Sequence, residues 1–278
     1  MNYDIKPLGV GGILDQAVNL IKTRFWLFFG IAACIAIPAG LALNFLSLAM
    51  LPAVPPNPTP EDMLVFQQEM ASKILPLGLI SMLVSIFVYP LTTGAMIHAV
   101  SSEYLGNETS VGASIGAAFK KFFPLLWTSI LMFLTVYVGI IMCIIPGLYF
   151  LIRYTLSSHA VMLEDYSGRS ALQRSSELML HDRSKNYNTL VLLWILLGVV
   201  GFATGFVGGL IPQPHIKIVV TVLLQAILQT FGAAAFAIFY FSCRCKADNF
   251  DLELLAESIG SDVDSPSPDD QPFADDFR

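Results

Sequence analysis

The chain is 278 residues long, 55% hydrophobic and only 13% charged, where soluble domains carry about 25% charged residues. Its formal charge of −6 is an uneven average: from Asp248 onward ten acidic residues stand against Arg278, so the preceding chain is net positive. These values exclude an ordinary soluble domain, leave no room for a separate soluble enzyme beside the membrane segments, and assign the acidity to a tail rather than to a surface for basic partners.

The opening MNYDIKPLGVGGIL has no short apolar core followed by a small-residue cleavage site, so no removable signal peptide is expected. GVGGILDQAVNLIKTRF then sets Ile13, Leu14, Ala17, Leu20 and Ile21 on one helical face. That spacing predicts an amphipathic helix lying in the membrane interface, with Lys22 and Arg24 at its headgroup end. Six long apolar stretches follow, at Phe25–Ala49, Leu75–Ala99, Leu125–Ile145, Gly147–Leu163, Leu190–Leu210 and Ile216–Phe241. A crossing needs about 20 apolar residues, because each adds about 1.5 Å against a core of about 30 Å.

Between the first two stretches the chain is proline-rich. Thr59 then suits a helix cap, Pro60 the first helical position, and Glu61 and Asp62 the first turn, so the second helix is expected to start near Pro60, outside the membrane. SVGASIGAAFKKFF predicts a second interfacial helix with Val111, Ile115, Ala118, Phe119 and Phe122 on one face. Pro38 and Pro90 are candidate bends, and Pro146–Gly147 reads as the tight turn between the third and fourth spans. Glu164 and Asp165 read as the start of a solvated loop. SGRSALQRSSELMLHDRSKNY predicts a third interfacial helix, with Ala171, Leu172, Ser175, Leu178 and Met179 together.

The expected fold is therefore all-α: a polytopic bundle of six transmembrane helices with three amphipathic interfacial helices. Residues 1–246 form the membrane domain, as a threefold repeat of interfacial helix plus two spans, and 247–278 an acidic, largely disordered cytoplasmic tail. Eleven of the fifteen basic residues fall in the termini and loops on one side of six crossings, against Lys73 and Lys217 on the other. Positive charge is retained in the cytoplasm, so both termini are expected there.

Residues able to carry chemistry are sparse. Arg153 is a full charge well inside a span, in the polar run Arg153–His159, and Gln225 and Gln229 lie one turn apart on the sixth span. Arg153, His159, Gln225 and Gln229 form a candidate polar site for a headgroup or small solute. The alternative is that Arg153 snorkels outward while the glutamines bond between helices. Gly201, Gly205 and Gly209 recur every four residues, a candidate helix-packing face within the chain or against a second copy. Cys34, Cys143, Cys243 and Cys245 have neither disulfide-framework nor zinc spacing, and no catalytic, cofactor or metal motif is legible. The partners expected are the lipid bilayer and a second copy or another membrane protein; nothing points to nucleic acid.

PLGVGGILDQAVNLIKTRFWLFFG, IIPGLYFLIRYTLSSHAVMLEDYSGRSALQRSSELM and FDLELLA together resemble bacterial integral membrane proteins of the YciC type, which are related to the membrane domain of glycerophosphoryl diester phosphodiesterases. The resemblance spans roughly Leu8 to Ala256 and implies a six-helix bundle in a bacterial cytoplasmic membrane. Gly9 and Gly12 stand where that family often has a Ser and a Glu, removing a capping pair, and Gln16 stands where it often has Arg. The phosphodiesterase barrel is absent, so its activity is not implied. The expectation is a non-enzymatic protein that supports or organises a membrane process, with a carrier or channel built on the polar fourth span as the rival.

Overall fold

The computed structural model describes residues 6–52 and 59–253. All regular structure among them is helical. The acidic tail expected at 247–278 lies almost wholly outside the described residues, as does most of the proline-rich connection before Thr59.

Helix α1 (Val10–Thr23) leads through Arg24 into one traverse made of α2 (Phe25–Ile31), a π-helical segment (Ala32–Ala36) and α3 (Ile37–Met50). The bend expected from Pro38 takes this form: a proline lacks its N–H and its ring crowds the carbonyl four residues back, and a π turn just before it accommodates both. Helix α4 (Pro60–Tyr104) begins at the expected cap. The Asp62 N–H donates to Thr59 Oγ1 at 3.2 Å, and the Thr59 N–H donates to Asp62 Oδ2 at 3.0 Å. The Thr59 hydroxyl, which donates to Asp62 Oδ2 at 2.7 Å, and after it the Thr59 N–H hold the exposed Asp62 carboxyl below its ordinary pKa. The helix runs 45 residues, through Pro76 and Pro90 without breaking. That is about 67 Å, twice what a bilayer core requires, so its first turns stand clear of the apolar stretch.

Helix α5 (Val111–Lys120), capped by Ser110 Oγ accepting the Ala113 N–H, passes through Lys121 into α6 (Phe122–Met142). The chain then turns at Cys143, not at Pro146–Gly147; Pro146 sits in the first turn of α7 (Ile144–Tyr154), where its missing N–H costs nothing. Helix α8 (Ser157–Glu164) completes the return after a break at Thr155–Leu156. Helix α9 (Arg169–His181) passes through Asp182 into α10 (Arg183–Gly209), and α11 (Pro214–Asp248) closes the bundle.

Five helical stretches are long and apolar enough to cross a membrane: Phe25–Met50, α4, α6, α10 and α11. The fourth segment of the sequence reading is instead the broken pair α7–α8. It still makes a full return, because Asp165 at its end meets Lys121 at the start of α6, at 2.6 Å. Both described ends of the chain lie at this same end of the bundle. The Leu8 N–H donates to Ser242 Oγ of α11 at 2.8 Å.

That end holds the core. From Ala234 to Cys245 nearly every residue of α11 is buried, including Phe239, Tyr240 and Phe241, so this stretch acts as a central post. The apolar faces predicted for the amphipathic helices are real, but two of them find protein rather than lipid. Ile13, Ala17 and Leu20 of α1 pack on α11, and Ala171, Leu172, Ser175, Leu178 and Met179 of α9 are all buried among α7, α8, α10 and α11. On α5 the buried pair is Ser114 and Ala118, while Phe119 points outward. The opposite half of the bundle exposes Ile141, Met142, Ile145, Val199 and Phe202, a surface that water would not tolerate and acyl chains would.

Helices α6 and α7 meet backbone to backbone. A Cβ on Gly147 would lie 2.7 Å from the backbone nitrogen of Ile140, whereas one on Gly205 meets nothing within 4 Å. Gly147→Ala is therefore expected to push the hairpin apart and destabilise the protein by about 1–3 kcal/mol. Gly205→Ala should leave thermal unfolding in detergent unchanged or slightly raised, and the paired measurement checks both.

Candidate functional site

The break between α7 and α8 frees backbone groups inside the bundle, and a buried serine of α9 takes them up. Ser175 Oγ accepts the Leu156 N–H at 3.1 Å and donates to the Arg153 carbonyl at 2.7 Å. In a membrane each unmet backbone group costs several kcal/mol, so such a break persists only where side chains complete it.

Arg153 lies in the last turn of α7, where the helix dipole favours a cation. Its Nε donates to Ser176 Oγ at 2.8 Å, a second guanidinium nitrogen reaches the same hydroxyl, and Nη1 donates to Tyr149 Oη at 3.1 Å. The guanidinium also sits 5.2 Å from the Tyr149 ring centre. It is thus turned to protein, but its partners are α9 and its own helix rather than Gln225, Gln229 or a carbonyl near Pro146. The reason is the position of α9, which folds against α7 and brings Ser175 and Ser176 to the break. Gln225 and Gln229 are exposed on the outer side of α11, and Gln229 lines a groove of about 260 Å³ with Gly40, Ser85, Tyr89 and Thr92.

His159 is separate again. It is 5% exposed, stacks on Tyr240 with ring centres 5.5 Å apart, and has no hydrogen-bond partner at either ring nitrogen. Tyr240 in turn donates to Glu164 Oε1. The four candidate residues therefore have different partners and do not converge on one another.

What does converge is a charge cluster around Glu164, which the sequence reading placed at the start of a solvated loop. Its side chain is only 10% exposed. Arg174 Nε of α9 donates to Glu164 Oε2 at 2.7 Å, and Arg244 Nε of α11 lies 3.7 Å from Oε1. Arg174 also pairs with Asp248 at the end of α11, while Arg244 lies 4.0 Å from the Phe250 ring centre. Burial works against the Arg174 charge, but the hydrogen bonds it donates to Asp248 and Glu164 outweigh that and raise its pKa. A raised guanidinium pKa adds stability that is whole below the ordinary arginine range and lost only far above it, so this contribution persists through neutral pH.

Three further polar ties close the same end. Lys121 Nζ donates to the Met162 carbonyl at 2.7 Å and the Val161 carbonyl at 3.3 Å, capping α8. Asn186, fully buried, donates to the Leu178 carbonyl of α9 and accepts from Lys246 of α11, each at 3.0 Å. Arg24 pairs with Glu103 at 2.9 Å, tying the link after α1 to the end of α4. Among the described residues no group of three metal-ligating side chains gathers.

The expected glycine face is shifted. Gly201 approaches Leu228 at ordinary contact distance, Gly205 and Gly209 meet nothing, and the close approach belongs to Gly208, whose Cβ would lie 2.5 Å from Thr221 Oγ1. At about 100° per residue, positions seven apart stay within about 20° of one another, whereas positions eight apart diverge by about 80°.

No family model matches the chain, and neither a curated protein nor a solved structure matches it.

Ser175→Ala strands the Leu156 N–H and the Arg153 carbonyl, and should lower stability by about 2 kcal/mol. Glu164→Gln removes the more buried of the two carboxylates, Glu164 and Asp248, that lie beside both Arg174 and Arg244, and should cost about 3 kcal/mol. Both are read as lowered unfolding midpoints of the purified protein. A midpoint unchanged in Glu164→Gln would mean that the cluster is not holding α8, α9 and α11 together.

Proposed function

We propose that this chain is a non-enzymatic, multi-pass protein of the cytoplasmic membrane, of the YciC type, that organises a membrane process from its cytoplasmic face. Both termini are cytoplasmic, and three units of amphipathic helix plus two traverses make up the membrane domain. Its partners are the bilayer and a membrane protein or second copy.

The observation that carries this reading is how the buried polar groups are used. Arg153, Ser175, Glu164, Arg174 and Asn186 are each bonded across helices, so they brace one end of the bundle. That end also gathers Arg24, Lys121, Arg174, Arg244 and Lys246, the charge excess that marks a cytoplasmic side. The element order supports the three units: α1, α5 and α9 each precede a long apolar helix by a single charged residue, Arg24, Lys121 or Asp182. A carrier site around Arg153 has less support, since its guanidinium is bonded to Ser176 and Tyr149 and the glutamines lie elsewhere.

Reporter fusions at the C-terminus and between α3 and α4 should report opposite compartments; the same compartment for both would overturn the topology. A deletion strain should show an altered lipid profile or the loss of a co-purifying membrane protein. Complementation with Arg153→Leu separates the readings. An organising protein should retain function at reduced abundance, whereas loss of function at normal abundance would favour the carrier.

A further inference from the structure

Helix α4 is the longest of the described helices, and none of its residues before Leu77 is buried. Its last turns pack into the braced end, while the stretch from Leu64 to Tyr89 lies largely open. On that stretch Ala71, Leu75, Gly78, Met82, Ser85 and Tyr89 are all exposed and recur at intervals of four and three. At about 100° per residue they stay within about 40° of one line along the helix. A 3.5-residue repeat of larger side chains, with a small residue at each seventh position, is the pattern by which one helix takes another. Acyl chains impose no such period. Leu64, one heptad before Ala71, carries the line beyond the apolar stretch, where it is 66% exposed to water rather than to lipid.

A second observation does not depend on that repeat. The same side of α4 forms one wall of the groove of about 260 Å³ between α3, α4 and α11. Ser85, Tyr89 and Gln229 line it together with Ala36, Ala39 and Gly40. Among the described residues, the Ser85 and Tyr89 hydroxyls and the Gln229 amide make no hydrogen bond. Gln229 lies fifteen residues from both Pro214 and Arg244, so about 22 Å from either, at the depth of the hydrocarbon. Neither water nor an acyl chain can bond an amide there, and leaving it unmet is costly. A neighbouring helix with polar side chains can meet it.

The charge pattern says which helix. Between Leu64 and Tyr89 the charged residues are Glu69 and Lys73, and both lie on the opposite side of α4 from the line. The face is therefore free of charge, and an identical face meets it without repulsion. Copies of one chain insert with the same orientation, so two α4 helices run parallel at the same depth, and Gly78 and Ser85 each face their own counterpart across a two-fold axis. A hydroxyl or an amide both donates and accepts, so each can bond to its own copy. Over about 38 Å of a helix about 10 Å across, the face offers on the order of 400 Å², and the groove walls from α3 and α11 carry it toward the roughly 800 Å² per partner of a stable interface.

We propose that this face of α4, with the groove beside it, is the seam of a parallel homodimer, in which Gln229 bonds to polar side chains on α4 of the second copy. The inference rests on the topology argued above and assigns the second copy, rather than another membrane protein, to this face.

Cysteine cross-linking of the full-length protein in native membranes tests it, with the exposed Cys34 and Cys143 changed to alanine. Ala71→Cys, Gly78→Cys and Ser85→Cys should each give an oxidised dimer, whereas Ile80→Cys and Leu83→Cys, exposed at the same depth but off the face, should not. Gly78→Leu should lower the dimer fraction in mild detergent about tenfold. Its unfolding midpoint should stay unchanged, because a Cβ at Gly78 meets nothing within 4 Å in the single chain. Equal linking at all five positions, no linking at any, or a product with a protein of another mass overturns the proposal, as does a dimer that Gly78→Leu leaves intact. The reporter fusions test the topology by themselves, so failure of the seam is told apart from failure of that reading.

Discussion

Glu164 is the point on which three helices depend. It is the last residue of α8, a helix of eight residues that has no length with which to hold itself. Its carboxylate takes Arg174 from α9 and Tyr240 from α11, with Arg244 close by, so the return of the broken fourth segment is fixed to the central post. A carboxylate with one cation at this depth would be a poor bargain against desolvation. With two cations and a phenol its oxygens are met, and the pair has a defined geometry.

The break upstream becomes possible because of that anchorage. Helix α7 is free to stop at Tyr154 since Ser175, carried on the same α9 as Arg174, arrives to satisfy the carbonyl and amide left open. Ser176 then supplies the hydroxyl for Arg153. Breaking, charge burial and the seating of α9 are thus one arrangement viewed from three residues. It also accounts for the uneven packing: the braced end is dense with buried side chains, while the other half leaves Met142, Ile145 and Phe202 to the hydrocarbon.

Much of the fold was legible in the order of residues. The apolar runs, the cap at Thr59, and the amphipathic helices at Ile13–Leu20 and Ala171–Met179 came through as helices with the buried faces their periodicity indicated. The candidate site was less legible. The polar run from Arg153 to His159 was visible, yet neither the break nor its partner serine was, because Ser175 looks like any small residue on an amphipathic face. Glu164 looked solvated for a similar reason: the arginines that bury it stand ten and eighty residues away. Gly208 was passed over for Gly209 because a repeat of four reads as a stripe on paper, while a straight helix carries it round its axis.

The sequence by itself determined that this is an all-helical membrane protein, where its longest helix begins, and which end gathers positive charge. Hydropathy, capping and charge excess are local quantities, summed over neighbours in the chain, and they survive without knowing what packs on what. Only the tertiary structure decided which polar groups meet: Arg153 with Ser176, Glu164 with Arg174, and the Leu8 amide with Ser242. Those meetings depend on helix rotation and on approach between segments as much as 234 residues apart, the separation of Leu8 and Ser242. A side chain turned by one residue, about 100° about the helix axis, exchanges a buried partner for lipid.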